Sequence, residues 1–470
     1  MLQQGLGAIF LLAFAAALHQ FGPLLSSSGL LPIPQYLQGR SFSRSPSLFH
    51  WRYSDRFYRQ VCLVGVVLAL LATTGLLQKA PILLGVLGWL GMTFLYLSLV
   101  NVGQRWFSFG WESMLVEAGF FAAFLGPQSM RPGWAAVLAL RWMLLRTELG
   151  AGLIKLRHDK CWRDLTCLYY HYETQPVPNA LSWYFHHLPR WFHRAAVLGS
   201  HLVQLVVPFG LFLPQPLAAW AAWAIIGHQG WLIVSGNYAW LNWLTVVLAF
   251  SGFAQHGGSA PPFWFDLVQL ALLLFTLKLS KEPFLNLTRK QQLMNYSFNA
   301  WRLVNAYGAF GSVSRERYEV VLQGSHELFP TRAEDWQEYE FWAKPGNPAR
   351  RPPQVAPYHL RLDWVIWFVP LGLTLELAVH DRPDRRLAWR YESWFIAFLD
   401  GLLRNDPELT GLLRRNPFAS SSPPASVRAL IFHYRYSTLS ERRESGNWWV
   451  RTQVGVYLPD YHGSLTSSAG

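Results

Sequence analysis

The chain is short of charge and of cysteine. Only 14% of its 470 residues are Asp, Glu, Lys or Arg, against 51% hydrophobic. That ratio excludes an ordinary soluble protein, in which about a quarter of residues are charged. No charged residue precedes Arg40. The first apolar run, roughly 5–25, therefore lacks the positive n-region of a cleaved secretory signal and reads as a retained membrane helix. Between residues 195 and 277 there is no Lys or Arg, and Asp266 is the only acid. Three cysteines, Cys62, Cys161 and Cys167, are too few for a disulfide framework, and no zinc-type CxxC pair exists. No metal and no cofactor is expected. Cys161 and Cys167 can pair with each other in an oxidising lumen.

What is present is apolar length and tryptophan. Further runs lie at about 61–78, 81–100, 113–126, 133–154, 196–213, 216–235, 238–253 and 263–280. A span takes about 20 apolar residues because a helix rises only 1.5 Å per residue. Some runs are shorter, so six to nine segments are expected. The 24 Trp residues suit membrane–water interfaces. The net charge of +13 is spread between apolar runs, which favours membrane lipid headgroups over nucleic acid as the basic residues' partner.

After Lys281 the texture changes. Residues 318–324, 338–344, 429–437 and 449–458 are rich in β-branched and aromatic types and read as strands. Residues 392–405 have helical spacing. The fold class expected is a multi-pass α-helical membrane domain over 1–280, a juxtamembrane connection over 281–300, and a sheet-rich α+β extramembrane domain over 301–460. A disordered tail over 461–470 follows. A segment at 364–379 carries Pro370 and Glu376 and is expected to pack beside the domain without crossing the bilayer.

The stretch RWMLLRTELGAGLIKLRHDKCWRDLT, 141–166, places ions inside an apolar run. Arg141, Glu148 and Lys155 are seven residues apart and share one helical stripe, with Glu148 between two cations. Arg146 lies on the same helix. Glu112 and Glu117 on the preceding segment are the expected partners of Arg146 or Arg141, because an unpaired ion in a membrane costs several kcal/mol. Two readings are open: a buried clasp that fixes helix packing, or a cavity for a substrate or a proton.

Several long stretches carry a resemblance. LVNVGQRWFSFGWES, GAGLIKLRHDKCWRDLTCLYYHYETQPVPN, VSGNYAWLNWLT, NAYGAFGSVSRERYEVVLQGS and KPGNPARRPPQVAPYHLRLDWVIWF resemble the lipase maturation factors, most nearly their type-1 members. The resemblance runs from about 5 to 460. It implies a multi-pass endoplasmic reticulum protein, or an inner-membrane one in a bacterial homologue, with no catalytic activity. Such a protein brings secreted dimeric lipases of the lipoprotein lipase and hepatic lipase type to their active form. It also implies a lumenal carboxy-terminal domain that meets the lipase. Aromatic and Arg residues there are the expected client anchors: Tyr307, Phe310, Arg361, Trp364, Trp367, Trp448 and Trp449. The piece 369–390 departs from the family pattern, and a polar amino-terminal tail of the kind usual in the family's eukaryotic members is not expected.

A shorter match, GAGLIKLRHDKCW, is similar to vitamin K-dependent γ-glutamyl carboxylase and implies, as the alternative, an intramembrane enzyme with Lys155 as base. Orientation is contested. The loop 40–59 carries five Arg against Asp55, which the positive-inside rule places in the cytosol, whereas the resemblance places it in the lumen. Sequons stand at Asn286 and Asn295.

Overall fold

The structure is a computed structural model that describes residues 1–253, 257–379 and 392–463. Among the described residues, nine longer helices make up most of the amino-terminal part: α1 (Leu2–Leu25), α2 (Asp55–Thr73), α3 (Ile82–Val102), α4 (Gly110–Ala122), α5 (Trp134–Arg157), α6 (Arg190–Leu205), α7 (Leu217–Ser235), α8 (Leu241–Ala249) and α9 (Phe263–Thr288). Among the described residues, six helices are long and apolar enough to cross a membrane: α1, α2, α3, α6 with its 3-10 extension to Phe212, α7 and α9. α4 and α8 are shorter, and α5 carries too many charges to count by composition. These three, rich in buried residues, form the interior of the bundle.

Local chemistry sets the ends. α2 starts where the Ser54 side chain accepts from the Phe57 amide at 3.0 Å, with Asp55 in the first turn favouring the helix dipole. α3, α6, α7 and α9 each begin directly after a proline, whose fixed φ suits a helix start. At Gly7 on α1 a Cβ would stand 2.7 Å from the Thr73 amide nitrogen, so only glycine lets α1 and α2 approach this closely.

The segments alternate in direction. On one face the loops are joined to each other: Gln128 N donates to Gln78 O at 3.0 Å and Arg131 N to Ser259 O at 2.9 Å. The other face receives the carboxy-terminal part. There Gln20 near the end of α1 donates to His359 O (2.8 Å), Asn101 at the end of α3 to Ala300 O (3.2 Å), and Asn237 after α7 to Pro353 O (2.9 Å). Asn101 also donates to Pro46 O at 3.0 Å. The Arg-rich loop therefore lies on the same face as the carboxy-terminal part.

That part is built on a four-stranded antiparallel sheet of β1 (Arg317–Ser325), β2 (Gln337–Glu338), β3 (Ser426–Tyr436) and β4 (Trp449–Tyr461), in the order β2-β1-β3-β4. The two longer helices that accompany it among the described residues are α10 (Arg361–Val379) and α11 (Ser393–Leu403). One sheet face packs Val321, Leu430, Tyr434, Tyr436 and Trp449 against Trp183, which belongs to the loop between α5 and α6. The other joins Val320, Leu322 and Ala429 to Phe398 and Leu402 of α11, in a core continuous with the bundle.

Three of the four expected strands form. The stretch 338–344 does not continue as a strand beyond Glu338. Its amides are taken elsewhere: Ala343 N and Lys344 N donate to the Asp363 carboxylate at 2.7 and 3.2 Å, and Glu340 N to Arg415 O. Burial raises the Asp363 carboxyl to about 6, with the two amides and Lys344 opposing. Arg361–Val379 is one helix through Pro370 and is not among the six spans. The last residues of the 369–390 piece and of the 461–470 tail, 380–391 and 464–470, lie outside the described residues.

Candidate functional site

α4 presents two acids, Glu112 and Glu117, both fully buried. Glu117 Oε1 is paired with the Arg146 guanidinium of α5. Its Oε2 accepts from the Asn305 amide (2.9 Å), the Asn305 side chain (2.9 Å) and the Tyr307 hydroxyl (2.8 Å). Both oxygens of that carboxylate meet donors, which is what lets a charge stay buried. Glu112 finds its cation in the distant Arg361, at 2.6 Å, and also accepts from the Tyr96 hydroxyl. The Arg361 guanidinium lies 3.5 Å above the Phe107 ring and donates to Trp106 O at 2.6 Å. His359 Nδ1 is 3.4 Å from Glu112, yet burial and the neighbouring Arg361 outweigh that carboxylate and lower the imidazole to about 4.

The expected partners thus form in part. Arg146 meets Glu117. Glu112 is taken by Arg361, which sequence spacing cannot link to it. Among the described residues Arg141 pairs with no acid: its Nε donates to Ser251 O at 2.8 Å, and the side chain is half-buried.

On the far side of α5 lies a cavity of about 1020 Å³ with mostly apolar walls. α5, α6, α7 and α8 surround it, and residues 307–312, the start of α10 and residues 292–295 close one end. Glu148 and Lys155 both face it and are 1% and 5% exposed. They are not joined as an ion pair, in contrast to the expected stripe. Glu148 Oε1 accepts from Gln229 at 2.7 Å; Lys155 Nζ donates to Gln204 Oε1 at 2.9 Å and lies 4.7 Å from the Trp162 ring centre. His228 Nε2 and Ser200 Oγ are 3.2 Å apart, and Ser200 Oγ is 3.5 Å from Lys155 Nζ. Gln204 and Ser200 share a face of α6 at i, i+4 spacing. His228 and Gln229 are adjacent polar residues on an otherwise apolar α7, and this pairing was their visible signal. His201 turns away and meets Trp162 O at 3.0 Å.

Loop 158–189 seals the cavity's extramembrane end. Cys161 and Cys167 are disulfide-bonded with Cα atoms 4.8 Å apart. Asp159 accepts from the Cys161 and Val313 amides and pairs with Arg315 at 2.8 Å. Burial would raise its carboxyl, but Arg315 and the two amides hold it below the usual range. Asp159 and the two cysteine sulfurs approach one another, but the sulfurs are bonded and the carboxylate is committed, so the cluster acts as a staple.

The anchors expected to face a client are placed differently. Tyr307, Arg361, Trp364, Trp448 and Trp449 are buried, and Phe310 and Trp367 are half-buried. Tyr307 and Arg361 serve Glu117 and Glu112, Phe310 and Trp364 line the cavity, and Trp448 packs on Trp183. Apolar side chains that do reach the surface of the carboxy-terminal part include Phe329, Trp342, Val454 and Val456. Of the sequons, Asn286 is buried, with both ends of its amide bonded to Leu293. Asn295 is exposed.

Family models match both parts. The lipase maturation factor transmembrane domain covers residues 1–258, and the lipase maturation factor C-terminal domain covers 303–459. The chain belongs to the lipase maturation factor family. Its similarity to lipase maturation factor 1 of Bos taurus is 37% identity, covering 99% of this chain and 90% of the relative. To the Homo sapiens protein of that name it is also 37% identical, over 97% and 86%. Lipase maturation factor 2 of Gallus gallus is 28% identical, over 97% and 80%. No solved structure matches. The transmembrane family domain contains the cavity residues Glu148, Lys155, Gln204 and Gln229, and the C-terminal one contains Tyr307 and Arg361, which are bound to α4.

Proposed function

We propose that this protein is an endoplasmic reticulum membrane chaperone that brings secreted dimeric lipases of the lipoprotein lipase and hepatic lipase type to their active form. The observation that carries this reading is the near full-length similarity to lipase maturation factor 1 across both parts of the chain. The carboxy-terminal part meets the client in the lumen, through the surface that bears Phe329, Val454 and Val456. β4 is an edge strand of the sheet, and edges of this kind pair readily with extended segments of another chain.

Two features bear on orientation and oppose each other. The Arg-rich loop favours the cytosol for its face. The Cys161–Cys167 disulfide, on the same face, favours an oxidising lumen. The disulfide is the stronger guide, because five Arg can lie on headgroups whereas a cytosolic disulfide is reduced. A sequon engineered into the exposed 327–330 turn should be glycosylated; protease access to that turn from outside sealed microsomes would reverse the assignment.

The test of function is secretion of active lipoprotein lipase from cells lacking their own factor. The chain should restore it. Expression and membrane insertion without any restored activity would remove the client assignment. A second reading, an intramembrane enzyme with Lys155 as base, is favoured by one observation: Lys155 faces a large cavity without an acid in contact. On that reading Lys155→Arg, which keeps the charge, abolishes function; on the chaperone reading it does not.

A further inference from the structure

We infer that the cavity between α5, α6, α7 and α8 is a binding site for a neutral glycerolipid that carries a free hydroxyl beside an ester carbonyl, such as a monoacylglycerol, admitted sideways between α6 and α7. The inference stands apart from the lipase reading, since it concerns what fills the bundle and not what docks on the carboxy-terminal part.

Size and wall chemistry come first. At about 1020 Å³ the space is at the top of the usual range of about 300–1,000 Å³ for small-molecule sites, and apolar walls of that extent match an acyl chain. A cavity this large inside a bundle forfeits packing contacts unless something occupies it.

The polar end defines the headgroup. Glu148 Oε2 is buried and, among the described residues, makes no well-formed hydrogen bond although the Gln204 side chain lies near it, so it can take a further donor. Lys155 Nζ has three N–H bonds, and Gln204 and Ser200 account for two, so it can still donate to an acceptor. One acid and one base balance in charge. A ligand that brings a hydroxyl to Glu148 and a carbonyl to Lys155 keeps that balance. A free fatty acid would add a second carboxylate beside Glu148, and like charges there repel.

The entry follows from glycine. Gly199 on α6 and Gly227 on α7 both line the cavity, both are exposed, and a Cβ on either would meet no atom within 4 Å. The His228–Ser200 hydrogen bond, formed by the next residue on each helix, places the two glycines across one gap. α6 and α7 are both among the six candidate spans, so that gap faces the lipid.

The experiment uses the full chain in phosphatidylcholine nanodiscs and a monooleoylglycerol with a photoreactive diazirine in its tail. Labelling should map to peptides of α6 and α7 and be suppressed at least five-fold by unlabelled monooleoylglycerol, but not by oleate. Gly227→Trp, which fills the gap, and Glu148→Gln, which removes the unmatched acceptor, should each reduce the competable labelling about ten-fold. Leu70→Trp, on an exposed position of α2 away from the cavity, should leave it unchanged. If Gly227→Trp does not fold, Gly199→Leu replaces it. Labelling that ignores both variants, spreads over all exposed helices, or yields equally to oleate would overturn the assignment.

Discussion

Arg146 and Glu148 are two residues apart on one helix and are treated in opposite ways. Arg146 meets one oxygen of a buried carboxylate whose other oxygen accepts from Asn305 and Tyr307. Glu148 has an amide on one oxygen and, among the described residues, no well-formed hydrogen bond on the other, and Lys155, two turns on, is held by another amide. Residues i and i+2 point to different sides of a helix, so α5 shows a closed face to α4 and an open one to the cavity. The lesson concerns what a buried ion does. Where acid and base touch and both carboxylate oxygens meet donors, the pair fastens the carboxy-terminal segments to the bundle. Where each is held by a neutral amide, the charges are kept apart and left available.

The comparison breaks most visibly if the fastened side proves weak. Glu117→Gln or Arg146→Met should destabilise the fold by about 3–5 kcal/mol, because the surviving partner stays buried and uncompensated. Glu112→Gln and Arg361→Met should behave alike. Chemical unfolding in detergent reads this, and changes below about 1 kcal/mol would refute the fastening role.

A buried group of a third kind sharpens the contrast. His186, in the α5–α6 loop, is lowered to about 4 by burial and by His187 and His193, despite Glu173 3.8 Å away. The unfolded ring, at about 6.5, binds its proton first, so the contribution is present above pH 6.5 and lost as pH falls through about 4. By pH 5 the loss should be about 2 kcal/mol, and His186→Gln should remove that part of the pH dependence. A His186→Gln profile that overlays the parent's would remove this role.

The staple comes next. Cys161→Ser with Cys167→Ser should lower stability by about 2 kcal/mol, the entropy of closing so short a loop. The melting point of the parent in reductant should match that of the double variant; a parent unaffected by reductant would show that the bond does not form.

The open side should move least. Glu148→Gln or Lys155→Met should change stability by less than about 1 kcal/mol, since an amide retains the hydrogen bond to Gln229 and the cavity leaves room to relax. A loss as large as that of Glu117→Gln would erase the distinction.

Much of this was legible. The apolar runs marked all nine segments, because hydrophobic length is a local property, and three strands showed in their β-branched and aromatic pattern. The ionic residues of 141–155 marked α5 as unusual. What spacing could not show was partnership across hundreds of residues. Arg361 is 249 positions from Glu112, and a heptad stripe on one helix suggested contact between Glu148 and Lys155, although seven residues separate them by about 10 Å along the axis and each is held instead by a glutamine of another helix. The exposed-anchor reading of Tyr307, Trp364 and Trp449 failed for a related reason. Aromatic content does not say whether a residue faces a partner or the chain's own core, and here the interior of a membrane bundle took most of them.

The most direct test is a pair of double-mutant cycles on stability. One uses Glu117→Gln with Arg146→Met, the other Glu148→Gln with Lys155→Met. The first cycle should show strong coupling, with the double variant losing far less than the two single losses together. The second should show clearly weaker coupling, since these two charges act on each other across the cavity without touching. Equal coupling in both cycles, or coupling confined to Glu148 and Lys155, would contradict the division into a fastened and an open face.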